Sequence, residues 1–390
     1  MGYPFGKTKR FAVLGLALVG VMLMGGQCPG LNFWAQIELI QAGGTKYVGE
    51  FTPVTSEEID DGWVKHSFDP DGGNGPICIA GTPFSVYTKA GDPHKLLVML
   101  QGGGACWQDF YVCNILAEDQ TPPPTEDGIW TDSFDTGNGV VDNPLADYSI
   151  VYLPYCDGSV FSGDNDVADE HFPYGSVRHH RGLRNMTAGM DLAKATFPSA
   201  RKIVVAGSSA GGVGVAGIAP FMTRFLFGNL IRLSVFNDAG PVAINLDDAA
   251  GIQARADDWQ FGQFFPASCT DCDDLGQPTA LIRWRLENDS TIREAFYETD
   301  GDAVNRFFLN VPLQEDYRDI ILTEHGALHD AHPNRYKRFI RSGDDSHTAL
   351  QYPVFYLGEA NGVPLYEWTD AFINRKPGWI DIVEDFVPLR

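Results

Sequence analysis

The stretch "VVAGSSAGGVG", residues 204–214, decides the fold of this chain of 390 residues. An apolar run at 203–206 stops at a glycine, and small residues follow before a helical pattern begins. Residues 207–211 read G-S-S-A-G, which fits the G-x-S-x-G pattern of a nucleophile on a sharp strand-to-helix turn. Small residues flank such a serine because strand and helix approach closely there. The stretch therefore predicts a buried strand, a strained turn that presents Ser209, and a helix. Ser208 is the alternative nucleophile, although it stands at the first x of the pattern.

Apolar runs of similar character alternate with helical patterns along the chain. The predicted strands lie in 95–104, 147–156, 201–212 and 232–240, with weaker candidates in 292–300 and 335–343. Helices are predicted over 181–197 and 211–228, and we expect the second to end irregularly because Gly and Pro lie inside it. Fully apolar strands between helices predict an α/β fold, a mostly parallel sheet covered on both faces. Residues 241–290 follow no clear period and are interpreted as a cysteine-containing insertion that covers or lines a pocket.

The charge of the chain excludes some classes of partner. Lys and Arg number 28 against 51 Asp and Glu, so the formal net charge is −23. Such a surface repels nucleic acids and anionic lipid headgroups, and nucleic-acid binding is not expected. The hydrophobic content of 44% is ample for a large core.

The N-terminus has the pattern of an export signal. Lys7, Lys9 and Arg10 precede an apolar stretch at 11–24, which is short for a membrane-spanning helix. No later segment is long and apolar enough to cross a bilayer, so we expect no transmembrane domain in the mature chain. Residues 1–28 are interpreted as a signal peptide and the mature protein as secreted or held in the cell envelope. Cys28 stands where a lipid-modified cysteine would stand, but the residue before it is not small.

A second glycine-rich turn follows an earlier predicted strand. Residues 101–107 read "QGGGACW". In α/β-hydrolases such a turn donates N–H groups to the oxyanion, and a phosphate-binding loop would need G-x-G-x-x-G or G-K-[ST]. We therefore expect the oxyanion hole to be formed by Gly103, Gly104 and Ala210, the residue after Ser209. Trp107 is expected to line the substrate pocket.

Seven stretches in a fixed order carry a family resemblance. They are "CIAGTPFSVY" (78–87), "LQGGGACWQDFYVC" (100–113), "YCDGSVFSGD" (155–164), "HHRG" (179–182), "GSSAGG" (207–212), "NDAG" (237–240) and "GDDSHTAL" (343–350). In this combination the chain resembles the pectin acetylesterase family, which includes the animal carboxylesterase Notum. The resemblance implies an α/β-hydrolase fold, a Ser-Asp-His triad and carboxylic ester hydrolysis, in a single catalytic domain over 50–390 with its insertion at about 241–290.

The chain also departs from the family pattern. Gln101 stands where the family often has Glu, and Ala105 suggests a differently shaped acyl pocket. Ser342-Gly343 replaces a Ser-Cys pair, so one family disulfide is missing. Pectin is polyanionic, so a chain with a net charge of −23 is expected to repel it.

The histidine and the acid of the triad are sought after Ser209, since these hydrolases have the order Ser, acid, His. His347 lies in a Gly-Asp loop after the last weak strand and matches the family's histidine. For the acid, Asp300 ends a predicted strand and matches a family aspartate. Asp302 and Asp238 remain the alternatives.

Three other histidines, His325, His329 and His332, have a spacing that suits a helix face or a metal site. They are interpreted as a solvated helix end, and no metal or cofactor is expected.

The six cysteines after Cys28 are an even set in an exported chain, which predicts disulfides. The resemblance suggests Cys106–Cys113, and we further expect Cys78–Cys156 and Cys269–Cys272. Cys269-x-x-Cys272 also has the spacing of a zinc knuckle or a redox pair, but no second knuckle follows.

These observations favour an exported serine esterase that removes O-acyl groups, acetyl above all, from a polysaccharide or another ester. A carbohydrate- or acyl-binding protein that keeps the hydrolase shell without catalysis is the alternative, and a peptidase on the same fold is the weaker one. We expect a monomer.

Overall fold

The computed structural model describes residues 29–69, 73–115 and 127–389. The predicted signal peptide and Cys28 lie outside the described residues. The chain folds around a ten-stranded sheet with helices on both sides.

The central sheet is mostly parallel. Its strands are β1 (Thr55–Glu58), β2 (Trp63–Ser67), β3 (Ser85–Lys89), β4 (Asp92–Leu100), β9 (Tyr148–Leu153), β12 (Lys202–Ser208), β13 (Arg232–Asp238), β14 (Arg293–Thr299), β15 (Tyr336–Arg341) and β18 (Ile382–Val383). They lie in the order β1-β2-β3-β9-β4-β12-β13-β14-β15-β18. From β9 to β18 all neighbours are parallel, whereas β1, β2, β3 and β9 pair antiparallel.

Smaller elements surround this sheet. Four hairpins are formed by β5 (Gly104–Trp107) with β6 (Phe110–Cys113), β7 (Ser133–Asp135) with β8 (Val140–Asp142), β10 (Asn165–Ala168) with β11 (Val177–His180), and β16 (Glu359–Ala360) with β17 (Val363–Pro364). The helices are α1 (Phe33–Gln41), α2 (Gly182–Thr196), α3 (Ala210–Ala216), α4 (Ala219–Phe227), α5 (Ala249–Trp259), α6 (Thr279–Asn288), α7 (Ala303–Phe308), α8 (Gln314–Ala331), α9 (Val354–Leu357) and α10 (Leu365–Ile373). Short 3-10 turns occupy Asp60–Gly62, Gly128–Trp130 and Phe261–Phe264.

The core lies on both faces of the sheet because the central strands are apolar on both sides. Along β4, Leu96 and Val98 pack into the cluster on one face, and Leu97 and Met99 into the cluster on the other. All four are fully buried. This double burial is the physical reason why the strand runs are continuously apolar rather than alternating.

The six predicted strands are confirmed, including the two weak ones. The helix predicted over 211–228 is not one helix: it breaks between α3 and α4, which meet at a bend of 54°. The break follows from Gly217 and from Pro220, which is tolerated only in the first turn of a new helix. Contrary to expectation, the second half ends regularly at Gly228, with φ of 87°.

Within the described ranges no single helix has both the length and the apolarity to cross a bilayer. The bent pair α3–α4 reaches that length and apolarity only when its two halves are counted together.

Candidate functional site

Ser209 stands on a strained turn between β12 and α3. Its backbone has φ of 56° and ψ of −119°, a conformation that non-glycine residues rarely adopt. A Cβ at Gly207 or Gly211 would collide with backbone, in the second case with the carbonyl oxygen of Leu100. The flanking glycines are therefore required by the close approach of strand and helix, as the sequence pattern predicted.

Asp238, at the end of β13, ties this turn to the loop that carries His347. Its carboxylate accepts hydrogen bonds from Ser208 Oγ at 2.5 Å and from the N–H groups of Ala349 and Leu350 at 2.8 and 3.0 Å. Burial raises the pKa of Asp238 to about 6. Asp238 is thus an anchor: it does not contact the histidine by a hydrogen bond, which argues against it as the acid of a triad.

His347 pairs with Asp302. Its Nδ1 lies 2.6 Å from Asp302 Oδ2, and the Asp302 side chain is fully buried. Asp302 caps α7 by accepting the Asn305 N–H at 2.8 Å, so its rotamer is held by the helix start. The other ring nitrogen of His347, Nε2, is buried without a hydrogen-bond partner among the described residues. One nitrogen is oriented and the other remains able to accept a proton.

The partner expected for His347 was Asp300, and the structure places that carboxylate elsewhere. Asp300 accepts hydrogen bonds from Arg318 Nη1 at 2.5 Å, Gln314 Nε2 at 2.7 Å and Ser342 Oγ at 2.6 Å. The prediction was wrong because β14 ends at Thr299 and the chain turns at once. Asp302, two residues further on, is the N-cap of α7, and its side chain is the one that faces the loop with His347.

A second buried carboxyl, Glu298, lies beside Asp302. Its Oε2 accepts hydrogen bonds from Tyr317 Oη at 2.9 Å and from Asn305 Nδ2 at 3.0 Å. The same Asn305 nitrogen donates to Asp302 at 3.1 Å. Burial, and then the neighbouring Asp302 carboxylate, raise the pKa of Glu298 well above its ordinary value. Burial beside a second carboxyl thus disfavours the charged form of Glu298 relative to a glutamate in water.

The glycine-rich turn after β4 continues into the hairpin β5–β6. Gly104 has φ of 77°, and a Cβ there would collide with the carbonyl oxygen of Val112. Gly104 lines the same cavity as Ser209 and Ala210, the first residue of α3, whose N–H has no acceptor within the helix. Gly103 does not belong to that lining and packs on Tyr155 instead.

Three disulfides confirm the expected pairings: Cys78–Cys156, Cys106–Cys113 and Cys269–Cys272. Cys106–Cys113 closes the hairpin that begins at Gly104. The bridge therefore restrains the glycine-rich turn beside the serine.

A cavity of about 170 Å³ opens beside Ser209. Most of its lining is apolar, and Trp107 belongs to it, as expected. The stretch 241–290 supplies much of the wall, including Ile252, Arg255 and Trp259 on one face of α5. Trp259 also donates a hydrogen bond to the Cys106 carbonyl at 2.8 Å, which ties this wall to the glycine-rich turn.

The interpretation of His325 as part of a solvated helix end was wrong. Its ring is fully buried in α8, stacks on Phe296 at 3.7 Å between ring centroids, and hydrogen-bonds Tyr336 Oη at 2.5 Å. Burial lowers the pKa of His325 to about 3, so the ring is a neutral part of the core. Within the described ranges no group of three or more His, Cys, Asp or Glu side chains could hold a metal ion.

The sequence left Asp302 as an alternative beside Asp238 and gave no signal for Glu298, Asn305 or Arg255. The D-x-x-N spacing at 302–305 is a helix-cap signal that could have favoured Asp302. Glu298 and Arg255 lie in segments with no motif, and only the tertiary structure brings them to the site.

The family model described as Pectinacetylesterase matches residues 67–256. The matched range contains the glycine-rich turn and Ser209, whereas Asp302 and His347 lie beyond it.

Proposed function

We propose that this chain, whose residues 67–256 match the pectinacetylesterase family model, is a serine carboxylesterase that hydrolyses O-acyl esters. The observation that carries the proposal is the strained Ser209 in the lining of a largely apolar cavity. The pairing of His347 with Asp302 at 2.6 Å supports a triad mechanism.

In this mechanism Ser209 Oγ attacks the ester carbonyl carbon and gives its proton to His347 Nε2. Asp302 holds the Nδ1–H and stabilises the imidazolium that forms. The N–H groups of Gly104 and Ala210 donate hydrogen bonds to the oxyanion. The alcohol leaves with the proton from His347, and water then releases the acid from the acyl-serine by the same route in reverse.

The cavity indicates an acyl group larger than acetyl. Its volume is about 170 Å³, whereas a protein cavity of about 150 Å³ holds a benzene molecule. An acetyl methyl would leave most of this apolar surface without contacts. We therefore expect acyl chains of about four to six carbons to be the best substrates, at roughly tenfold higher kcat/KM than acetate for each well-buried pair of methylenes.

The test is hydrolysis of 4-nitrophenyl esters from acetate to dodecanoate by the wild type and by Ser209→Ala. We expect the variant to lose about 10⁴-fold or more in kcat. Ser199→Ala, at an exposed position, is the control for a serine outside the site. If Ser209→Ala remains as active as the control, the proposed nucleophile is rejected. If the folded wild type binds esters without hydrolysing them, the non-catalytic alternative replaces the esterase.

We further propose that the protein is exported. The disulfides support an oxidising location, since such bonds are rare in the cytosol. Counting free thiols in denatured, unreduced protein from its native host tests this proposal: none is expected among the six paired cysteines.

A further inference from the structure

Arg255 is a cation in the wall of an otherwise largely apolar cavity. It lies on the face of α5 that also carries Ile252 and Trp259, and all three line the cavity beside Ser209. Its side chain is only 13% exposed, and the guanidinium carbon lies 5.1 Å from the centre of the Trp107 ring. The charge is thus held over the aromatic ring that follows the glycine-rich turn.

The guanidinium lacks the partners that other buried arginines have. Arg224 donates hydrogen bonds to both carboxylate oxygens of Asp289, at 2.7 and 3.1 Å. Arg285 binds Glu294 through two bonds of 2.7 Å. Arg255, in contrast, donates no side-chain hydrogen bond within the part of the chain that the structure describes.

One carboxylate stands near Arg255, and it is already engaged. Asp248 Oδ2 lies 4.0 Å from Arg255 Nη1, beyond hydrogen-bond distance. Asp248 is the N-cap of α5, where its side chain accepts the Gly251 N–H. Burial lowers the pKa of Arg255, and Asp248 acts against that shift. A second carboxyl, Asp274, also belongs to the cavity lining.

The Arg255 side chain is largely shielded from bulk water and has no acceptor at hydrogen-bond distance among the described residues, so a ligand in the cavity that accepts its N–H groups is favoured. The planar fork matches a carboxylate, which it binds through two parallel bonds. We propose that Arg255 binds a carboxylate of the substrate, so that the enzyme prefers esters that carry a negative charge on the acyl or the alcohol part. This inference rests on the proposed esterase function.

The inference explains how a strongly acidic protein can accept an acidic ester. The net charge of −23 disfavours anions at the surface as a whole. Inside the cavity, however, the low dielectric strengthens the attraction of a single cation over a short range. Arg255 therefore selects the charged substrate once the substrate has entered the cavity.

The experiment compares two pairs of esters that differ in charge. The acyl pair is 4-nitrophenyl hemiglutarate and 4-nitrophenyl hexanoate, and the alcohol pair is 4-acetoxybenzoate and its methyl ester. Arg255→Met removes the charge at similar length, and Arg255→Lys keeps the charge without the fork. Arg283→Met is the matched control, since Arg283 lies outside the cavity lining and pairs with exposed Asp271 at 3.6 Å.

For one of the two pairs, Arg255→Met is expected to lower the charged-to-neutral ratio of kcat/KM by about 10- to 100-fold, the strength of a hydrogen-bonded charge. The pair that responds tells whether the carboxylate belongs to the acyl or the alcohol part. Arg255→Lys should lose less, and Arg283→Met should keep the wild-type ratio. An unchanged ratio in both pairs for Arg255→Met overturns the inference, even if Ser209-dependent hydrolysis of neutral esters is intact.

A binding measurement makes the test independent of turnover. In Ser209→Ala protein, calorimetry should show 4-acetoxybenzoate or monomethyl adipate bound at least about tenfold more tightly than its methyl ester, and Arg255→Met should abolish that difference. Equal affinities for charged and neutral probes in protein that is folded by circular dichroism would refute the carboxylate site. The binding difference between charged and neutral probes is expected even if the protein does not hydrolyse esters.

Discussion

Asp300 and Asp302 lie two residues apart, and their side chains have different partners. Asp302 is bound to His347 and to the start of α7, whereas Asp300 joins Arg318 and Ser342 and thereby holds the C-terminal segments together. Both are fully buried. Their functions can therefore be separated by the same conservative change at each position.

We predict that Asp302→Asn lowers kcat by about 10⁴-fold, because the amide no longer accepts the Nδ1–H of His347 and favours the wrong tautomer. Asp300→Asn should instead reduce the free energy of unfolding by about 3 kcal/mol, since it weakens a buried ion pair with Arg318. Turnover of 4-nitrophenyl butyrate and urea denaturation measure the two effects.

The contrast between the variants is the decisive result. Native-like turnover by Asp302→Asn, together with a large loss of kcat in folded Asp300→Asn, would return the acid to Asp300.

At the scale of elements, the β5–β6 hairpin forms one wall of the site, and its two strands approach each other very closely at Gly104. Gly104 and Gly137 both have positive φ, 77° and 80°. A Cβ at Gly104 would collide with Val112, whereas nothing lies within 4 Å of a Cβ at Gly137. The two glycines share the backbone conformation and differ in surroundings.

We predict that Gly104→Ala lowers kcat/KM by at least about 100-fold, because the hairpin must shift and the oxyanion donors move with it. Gly137→Ala carries the same conformational strain, about 1 kcal/mol, and should leave kcat/KM at the wild-type value. Steady-state kinetics and thermal unfolding of both variants give the comparison. Equal kinetic losses in the two variants would mean that strain alone, and not the close approach, matters at Gly104.

At the scale of the whole molecule, buried carboxyls make stability depend on pH. Asp157 is fully buried, and burial raises its pKa to about 6. Its Oδ1 accepts the N–H and the hydroxyl of Ser159, at 2.8 and 2.6 Å, while Oδ2 has no partner among the described residues. The folded protein therefore holds a proton that the unfolded chain has already released between about pH 4 and pH 6.

The difference in bound protons determines how the free energy of unfolding changes with pH. As pH rises from about 4 through 6, the free energy of unfolding falls by up to about 3 kcal/mol through Asp157 and then levels off. Asp157→Asn leaves the Ser159 contacts in place and cannot ionise. Relative to the wild type, the variant should gain stability between pH 4.5 and pH 7.5 in denaturant titrations.

The control is Glu57→Gln, a substitution on the exposed strand β1. Its stability relative to the wild type should not change over the same pH range. A pH-independent difference between Asp157→Asn and the wild type would show that Asp157 is ionised throughout.

The sequence alone determined the parts of this protein that depend on local pattern. Continuous apolar runs predict strands buried on both faces, and glycines around Ser209 predict a turn that only small residues permit. The family and the two short cysteine pairs, Cys106–Cys113 and Cys269–Cys272, were also recognisable, because their motifs lie within a few residues of sequence. At 211–228 the local pattern gave only an approximate answer: Pro220 was seen as a weakness inside one helix, whereas it begins a second.

Only the tertiary structure decided which distant charges meet. The sequence favoured Asp300 because it ends a predicted strand, but the direction of the chain after β14 places Asp302 against His347. The pKa of Glu298 is raised because folding removes this side chain from water and places it beside another carboxyl. Arg255 differs from other buried arginines because α5 turns it into the cavity, away from any carboxylate at hydrogen-bond distance. These properties arise from burial and from distances between residues far apart in the chain, which local pattern does not encode.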